Sequence, residues 1–295
     1  MKLSTIPEMP DDFELVFFGD NQDGNAAMSE EKYQGCIDYI GDAPGYRYGL
    51  HMGDAFDAFW IDDKRYRVDT TTATPKMQIE HQIEMLRPIV DSGQLLTILD
   101  GNHEVALYSR MERLYGNFDE HLPSELRKIC GTVYPLSGSY TQKIYFISMD
   151  GDVMFKVYIT HGKRSITSIS PDPHRRRAYM QFRLKRLMEN KAGDCICMVR
   201  GHSHIVLTTP PIPTLYLSDD GKKLHQHYTT AGSGSDSSYI PPDHRFYGCS
   251  GSFLRSQMEG ISTYSEVGEY DPLEIGYLVG VVKAREFVDL REVKF

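Results

Sequence analysis

Five short apolar runs, each followed at once by a polar cluster of ligand-type residues, constrain this chain more than any other feature. Glu14 to Phe18 leads into Gly19-Asp20, Tyr48 to Met52 into Gly53-Asp54, and Leu95 to Leu99 into Asp100-Gly101-Asn102-His103. Val153 to Thr160 precedes His161, and Cys195 to Val199 precedes Arg200-Gly201-His202. Runs of this kind read as buried strands, and the helical-period segments between them favour an α/β architecture over an all-α or all-β one. Open α/β sheets place their sites outside the carboxyl ends of strands, where loops vary while strands hold position. The five clusters are therefore expected to meet.

Between the strands, Tyr33, Cys36, Ile37 and Ile40 fall on one helical stripe, with Ser29 as the expected N-cap. Ile79, Ile83, Leu86 and Val90 form a second stripe after Thr74-Pro75, a cap followed by proline at the first helical position. Met180, Leu184, Leu187 and Met188 mark a third, and all three stripes are read as core-facing. After His204 the text turns strand-like, through LHQHYTTAGSGSDSSY, CSGSF, YLVGVV and EFVDLREV, which suggests a second sheet packed on the first. Residues 1–295 are read as a single domain, with Gly232 to Ser238 as a loop.

With 41 acidic against 32 basic residues, a net charge of -9, the molecule as a whole repels a polyanion. The exception is His174-Arg175-Arg176-Arg177 followed by Arg183, Lys185 and Arg186, either a solvated helix face or a landing strip for nucleic-acid phosphates. Five cysteines without the dense, even spacing of a disulfide scaffold suit a reducing compartment. No apolar run reaches membrane-spanning length, and the N-terminus does not fit a secretory signal. The expectation is a soluble, cytoplasmic protein.

Asp20 with Gln22, Gly53-Asp54-Ala55-Phe56-Asp57, Gly101-Asn102-His103-Glu104, His161-Gly162 and Gly201-His202-Ser203-His204 together offer the oxygen and imidazole ligands of a site for two divalent cations. Each fragment alone is weak, since groups of two or three residues recur by chance. Their order and their position after strand-like runs are what carry the signal. From Asp20 to His204 the chain resembles the calcineurin-like metallophosphoesterase superfamily, whose ordered pattern is D-x-H, G-D-x-x-D, G-N-H-[DE], H and G-H-x-H.

The resemblance implies a four-layer αββα sandwich of two mixed β-sheets flanked by helices. It implies that Asp20, Gln22 and His204 bind a first metal, that Asn102, His161 and His202 bind a second, and that Asp54 bridges them. His103 would be the general acid at the leaving-group oxygen, oriented by Asp57, and Glu104 would support its loop. Hydroxide generated between the metals would attack a phosphomonoester or phosphodiester, a nucleotidic substrate being favoured. Gln22 stands where the pattern has histidine. An amide oxygen is a harder, weaker ligand than imidazole, which leans the site toward Mn²⁺ or Mg²⁺, with Fe, Zn or Ni as other members of the range.

Lys163 and Arg164 follow His161 and are candidates to touch substrate phosphate. Phe56, Phe59 and Trp60 flank Asp57, as base-stacking surfaces or as core, and core is the reading adopted. Cys195 and Cys197 are read as buried hydrophobes on one strand face, and His225 and His227 as a pair sharing another, either packed or near the site. Asp236 and His244 have no assigned role. Two further functions stay open: a nuclease acting on single-stranded DNA or RNA with the basic segment, and a catalytically silent binding module that keeps the fold.

Overall fold

Apolar runs too short for helices need partner strands to satisfy their backbone groups, and here they assemble into two six-stranded sheets. The computed structural model describes residues 1–63, 66–115, 121–137, 139–232 and 238–295. Its strands are β1 (Lys2–Met9), β2 (Phe13–Phe18), β3 (Arg47–His51), β4 (Leu95–Ile98), β5 (Leu136–Ser137), β6 (Thr141–Ser148), β7 (Val153–Thr160), β8 (Cys197–Arg200), β9 (Val206–Thr209), β10 (Leu215–Asp219), β11 (Leu224–Tyr228), β12 (Phe246–Ser250), β13 (Gly276–Lys283) and β14 (Glu286–Lys294). The helices are α1 (Glu30–Gly41), α2 (Pro75–Asp91), α3 (Asn102–Tyr115), α4 (Leu122–Cys130), α5 (Pro173–Met188) and α6 (Tyr264–Val267).

One sheet runs β14-β13-β2-β3-β4-β5, parallel from β2 to β5 and antiparallel at β13 and β14. The other runs β1-β6-β7-β8-β12-β9, with β7, β8 and β12 parallel. One apolar cluster joins the two sheets, with Phe13, Phe17, Leu50 and Leu278 from the first and Phe146, Val157, Val199 and Phe246 from the second. A second cluster packs Tyr33, Ile37, Leu86, Val90, Leu107 and Leu126 of α1 to α4 against Val16, Phe18 and Val279 of the first sheet. A third packs Leu184 and Met188 of α5 against Met198, Leu207 and Tyr247 of the second. The protein is thus mixed α/β, with helices flanking both sheets. Among the described residues no helix is long and apolar enough to cross a membrane.

The helix starts follow their sequence signals unevenly. Thr74 caps α2 by accepting from the Met77 N–H, whereas Ser29 precedes α1 without a side-chain cap bond. On α2 the buried face carries Gln78 and Gln82 while Ile79 and Ile83 are only partly covered. The glutamines turn inward because they bond loop groups: Ala58 N–H donates to Gln78 Oε1 at 2.9 Å, and Gln82 donates to Asp23 at 3.2 Å.

The closing strands depart from expectation. β13 and β14 do not build the second sheet; they extend the first, β13 lying antiparallel to β2. The second sheet is instead assembled around β6 to β9 and β12. The segment holding His225 and His227 forms an exposed two-stranded hairpin, β10–β11, where His227 bonds Ser218 and His225 bonds Asp220. Cys195 and Cys197 do not share a face: Cys195 packs toward α5 and Cys197 between the sheets. Residues 233–237, within the expected loop from Gly232 to Ser238 and including Asp236, lie outside the described residues.

Candidate metal centre

The five loops that carry the candidate residues leave strands of both sheets: those after β2, β3 and β4 from the first, those after β7 and β8 from the second. Asn102 opens α3. Asp20, Gln22, Asp54, His202 and His204 have φ of 51, 47, 50, 68 and 52°, and they make up half of the ten non-glycine residues in the left-handed region among the described residues. Such conformations cost free energy and persist where surrounding bonds over-determine them. Here the Asp20 N–H donates to Gly53 O at 2.9 Å, the Gln22 N–H to Asp54 O at 3.0 Å, and the His202 N–H to the Asp20 carboxylate at 2.9 Å.

Close approach of the loops after β3 and β4 explains two glycines. A Cβ on Gly101 would stand 2.0 Å from Asp54 Oδ1, and one on Gly53, at φ 91°, would stand 2.7 Å from Gly101 N. A side chain at Gly101 would push Asp54 from its place, and one at Gly53 would drive the two loops apart.

The ligand-type atoms of Asp54, His161 and His202 lie within 4.8 Å of one another, a group that could hold a metal ion. His161 Nδ1 bonds the Met52 carbonyl at 2.9 Å, which puts the ring proton on Nδ1 and turns Nε2 to the centre. There Nε2 meets Asn102 Oδ1 at 3.1 Å and Asp54 Oδ2 at 3.2 Å. On the other side His204 Nε2 stands 3.4 Å from Asp20 Oδ1. Gln22, two residues after Asp20, is buried.

Two observations fit a cation here. Asp20 Oδ1 and His202 Nδ1 are buried without a hydrogen-bond partner, a costly state for polar atoms unless another group completes them. The donors are carboxylate, amide and imidazole, the set that suits Mn²⁺, Zn²⁺ and their neighbours. Burial works against charge on His161, but the Asp54 carboxylate outweighs it and raises the imidazole to about 9. Burial likewise opposes the charge of Asp54, yet His161 and His103 hold it well below the usual carboxylate range. Burial, with His161 next to it, lowers His202.

His103 is buried at the rim of this group, its N–H donating to Asp54 Oδ1 at 3.0 Å. Asp57 meets it through its main chain. The Asp57 main-chain carbonyl bonds His103 Nδ1 at 2.6 Å, while the nearest carboxylate oxygen is 3.8 Å away. Phe56 is fully buried, and the Phe59 ring lies 5.1 Å from the His103 imidazole. Glu104 ties the loops together, accepting from the Asp54, Ala55 and Gly101 N–H groups at 3.0, 2.5 and 2.8 Å. Burial and the Asp54 charge push its carboxyl up to about 8.

Three neighbours were not foreseen from sequence. His51 and Asn21 are fully buried and bonded at 3.0 Å. Arg200 is also buried and donates to the Arg164 carbonyl beneath the His161 loop. Nothing in their local pattern separates them from core residues; their strand-end positions next to ligand motifs were the one available signal.

Lys163 and Arg164 are exposed on the loop after His161. On α5, Arg176 pairs with Asp271, Arg177 with Glu292, Lys185 with Asp243 and Arg186 with Glu189. Four basic side chains of that helix thus already face carboxylates. The five cysteines are free thiols.

No protein-family profile and no curated protein matches the chain. Among solved structures, it is similar to a conserved uncharacterised protein from Streptococcus pneumoniae TIGR4, described as a predicted phosphoesterase, at 10% identity, covering 96% of this chain and 98% of that one, with a TM-score of 0.29. It is also similar to GAP50, the anchor in the inner membrane complex of Plasmodium, at 9% identity over 97% of this chain and 90% of that one, with a TM-score of 0.41. Likenesses this slight leave the functional reading to the site itself.

Proposed function

We propose that this chain is a dinuclear metal-dependent phosphoesterase of the calcineurin-like metallophosphoesterase type, a single-domain four-layer αββα sandwich acting in the cytoplasm on a small, nucleotidic phosphodiester or phosphomonoester. The observation that carries the reading is the meeting of Asp54, His161 and His202, delivered by loops of two different sheets, with ligand-type atoms within 4.8 Å of one another.

Asp20, Gln22 and His204 would hold one cation, Asn102, His161 and His202 another, and Asp54 both. The pair, Mn²⁺ foremost, would supply charge to clamp phosphoryl oxygens and to acidify water. The rest falls to the chain. The Met52 carbonyl fixes the His161 tautomer, and Glu104 holds the Asp54 loop on the Gly101 loop. His103, its Nδ1 proton held by the Asp57 carbonyl, presents Nε2 to the centre, 3.9 Å from Asp54 Oδ2, placed to protonate a departing alkoxide. Lys163 and Arg164 are the candidate contacts to substrate phosphate.

Four of the six Lys and Arg side chains of α5 are ion-paired, which reduces the charge that helix offers a polyanion and favours the small substrate over the nuclease version. Retention of His103, Asp54, Asp57, His202 and His204 favours catalysis over a silent binding module. The test is hydrolysis of bis-p-nitrophenyl phosphate against p-nitrophenyl phosphate by metal-stripped protein given Mn²⁺. Turnover that needs the metal and falls in the Asp54→Asn variant supports the reading; no turnover of either ester overturns it.

A further inference from the structure

We propose that His51 and Asn21 form a neutral clasp that positions the first metal's ligands against the bridging aspartate. The inference rests on the dinuclear reading above. His51 closes β3 and Asn21 stands between Asp20 and Gln22; both side chains are fully buried. The Gly53 N–H donates to His51 Nδ1 at 3.2 Å, so the ring proton is on Nε2, which donates to Asn21 Oδ1 at 3.0 Å. The Asn21 amide nitrogen in turn donates one hydrogen to the Ala55 carbonyl at 2.7 Å. Every bond thus has a defined direction, and the ring carries no charge.

Asn21 is joined covalently to two candidate ligands, Asp20 and Gln22, and Ala55 to the third, Asp54. The clasp therefore spans the gap between the loops after β2 and β3. It does so where Asp20, Gln22 and Asp54 all hold left-handed φ values of 51, 47 and 50°. Three main-chain bonds, Asp20 N–H to Gly53 O, Gln22 N–H to Asp54 O and Asp23 N–H to Ala55 O, tie the loops edge to edge. The Asn21 amide, held at both ends, adds a side-chain tie between them at the residue that separates Asp20 from Gln22. The imidazole is in turn wedged edge-on between aromatic rings, 5.0 Å from Phe18 and 6.4 Å from Tyr33. His51 and Asn21 are positioning residues, touching neither metal nor substrate.

The expected consequence is unequal. Loss of the clasp loosens the position made by Asp20, Gln22 and His204, because Asn21 stands between Asp20 and Gln22, and spares that made by Asn102, His161 and His202, because the shared Asp54 keeps its bonds to Glu104 and to the His103 N–H.

The experiment is Mn²⁺ titration of the stripped full-length chain by calorimetry, with electron paramagnetic resonance of the loaded protein. His204→Ala identifies which binding step belongs to the first position. His51→Phe keeps the ring's bulk and removes both bonds; it should weaken that step alone by about tenfold or more, within the range for groups that orient ligands, and abolish the exchange-coupled Mn pair signal. His51→Gln, whose amide can again donate to Asn21, should recover part of both. Should His51→Phe fail to fold, Asn21→Asp, which cannot donate to Ala55 O, is read the same way. Unchanged binding in a folded variant, or equal weakening of both steps, overturns the clasp. A wild-type chain that takes up fewer than two Mn²⁺ overturns the dinuclear reading itself, and the clasp with it.

Discussion

Asp54, from the loop after β3, and His161, from the loop after β7, face each other across the two sheets with Oδ2 and Nε2 3.2 Å apart. Two groups that far apart in the sequence meet at bonding distance only if both sheets are in register at their carboxyl ends. The centre is therefore a readout of the fold, and each group in it has a separable effect.

His161 should exchange a proton for a metal ion. In the metal-free protein the imidazole is raised to about 9, so at pH 7 it is charged, and it must be neutral to bind a cation through Nε2. Calorimetry at pH 7 in buffers of different ionisation enthalpy should show release of about one proton from this group on metal binding; no buffer dependence would contradict the assignment.

The same shift fixes the sign of a stability effect. A histidine raised from 6.5 to about 9 on folding adds stability that is full below 6.5 and is lost as the pH rises through 9. Metal-stripped protein should therefore melt at lower temperature at pH 9.5 than at pH 6.5, and His161→Gln should flatten that slope. Equal slopes in the two proteins would refute it.

Replacing His103 by Gln should lower kcat by about 100- to 10,000-fold, the usual range for a lost general acid, with bound metal unchanged. The loss should be larger for an alkyl leaving group than for p-nitrophenolate, which departs without a proton. Rates measured on both esters decide the matter; equal losses would assign His103 a structural part only.

How much of this was legible in the sequence follows a physical boundary. The strand ends and the polar clusters that follow them were readable because an apolar run that stops at Gly-Asp or Gly-Asn-His carries its own punctuation. Sheet membership was not: YLVGVV pairs with β2 in the first sheet rather than building the second, a long-range choice that no local pattern encodes. Gln78 and Gln82 on the buried face of α2 were invisible for the same reason, since their partners lie about twenty and sixty residues away. The hairpin holding His225 and His227 has strand periodicity yet lies exposed, because period two is satisfied by pairing alone.

Glu104 offers a stability test of the loops. Glu104→Ala would orphan three backbone N–H groups, those of Asp54, Ala55 and Gly101. At about 1 to 3 kcal/mol for each buried unsatisfied donor, urea unfolding should show a loss of several kcal/mol and weaker metal uptake. A loss near zero would mean that water replaces the carboxylate.

Gln22→His should tighten the first metal position, since imidazole binds the later first-row ions more strongly than an amide oxygen. Metal titration with Zn²⁺ would show it as a gain in affinity at that step; unchanged binding would remove Gln22 from the ligand set.

The most direct measurement is an anomalous difference map from crystals of the Mn²⁺-soaked protein. The account predicts two peaks sharing Asp54, one against Asp20, Gln22 and His204 and the other against Asn102, His161 and His202. Peaks elsewhere on the surface, with this cluster empty, would contradict it.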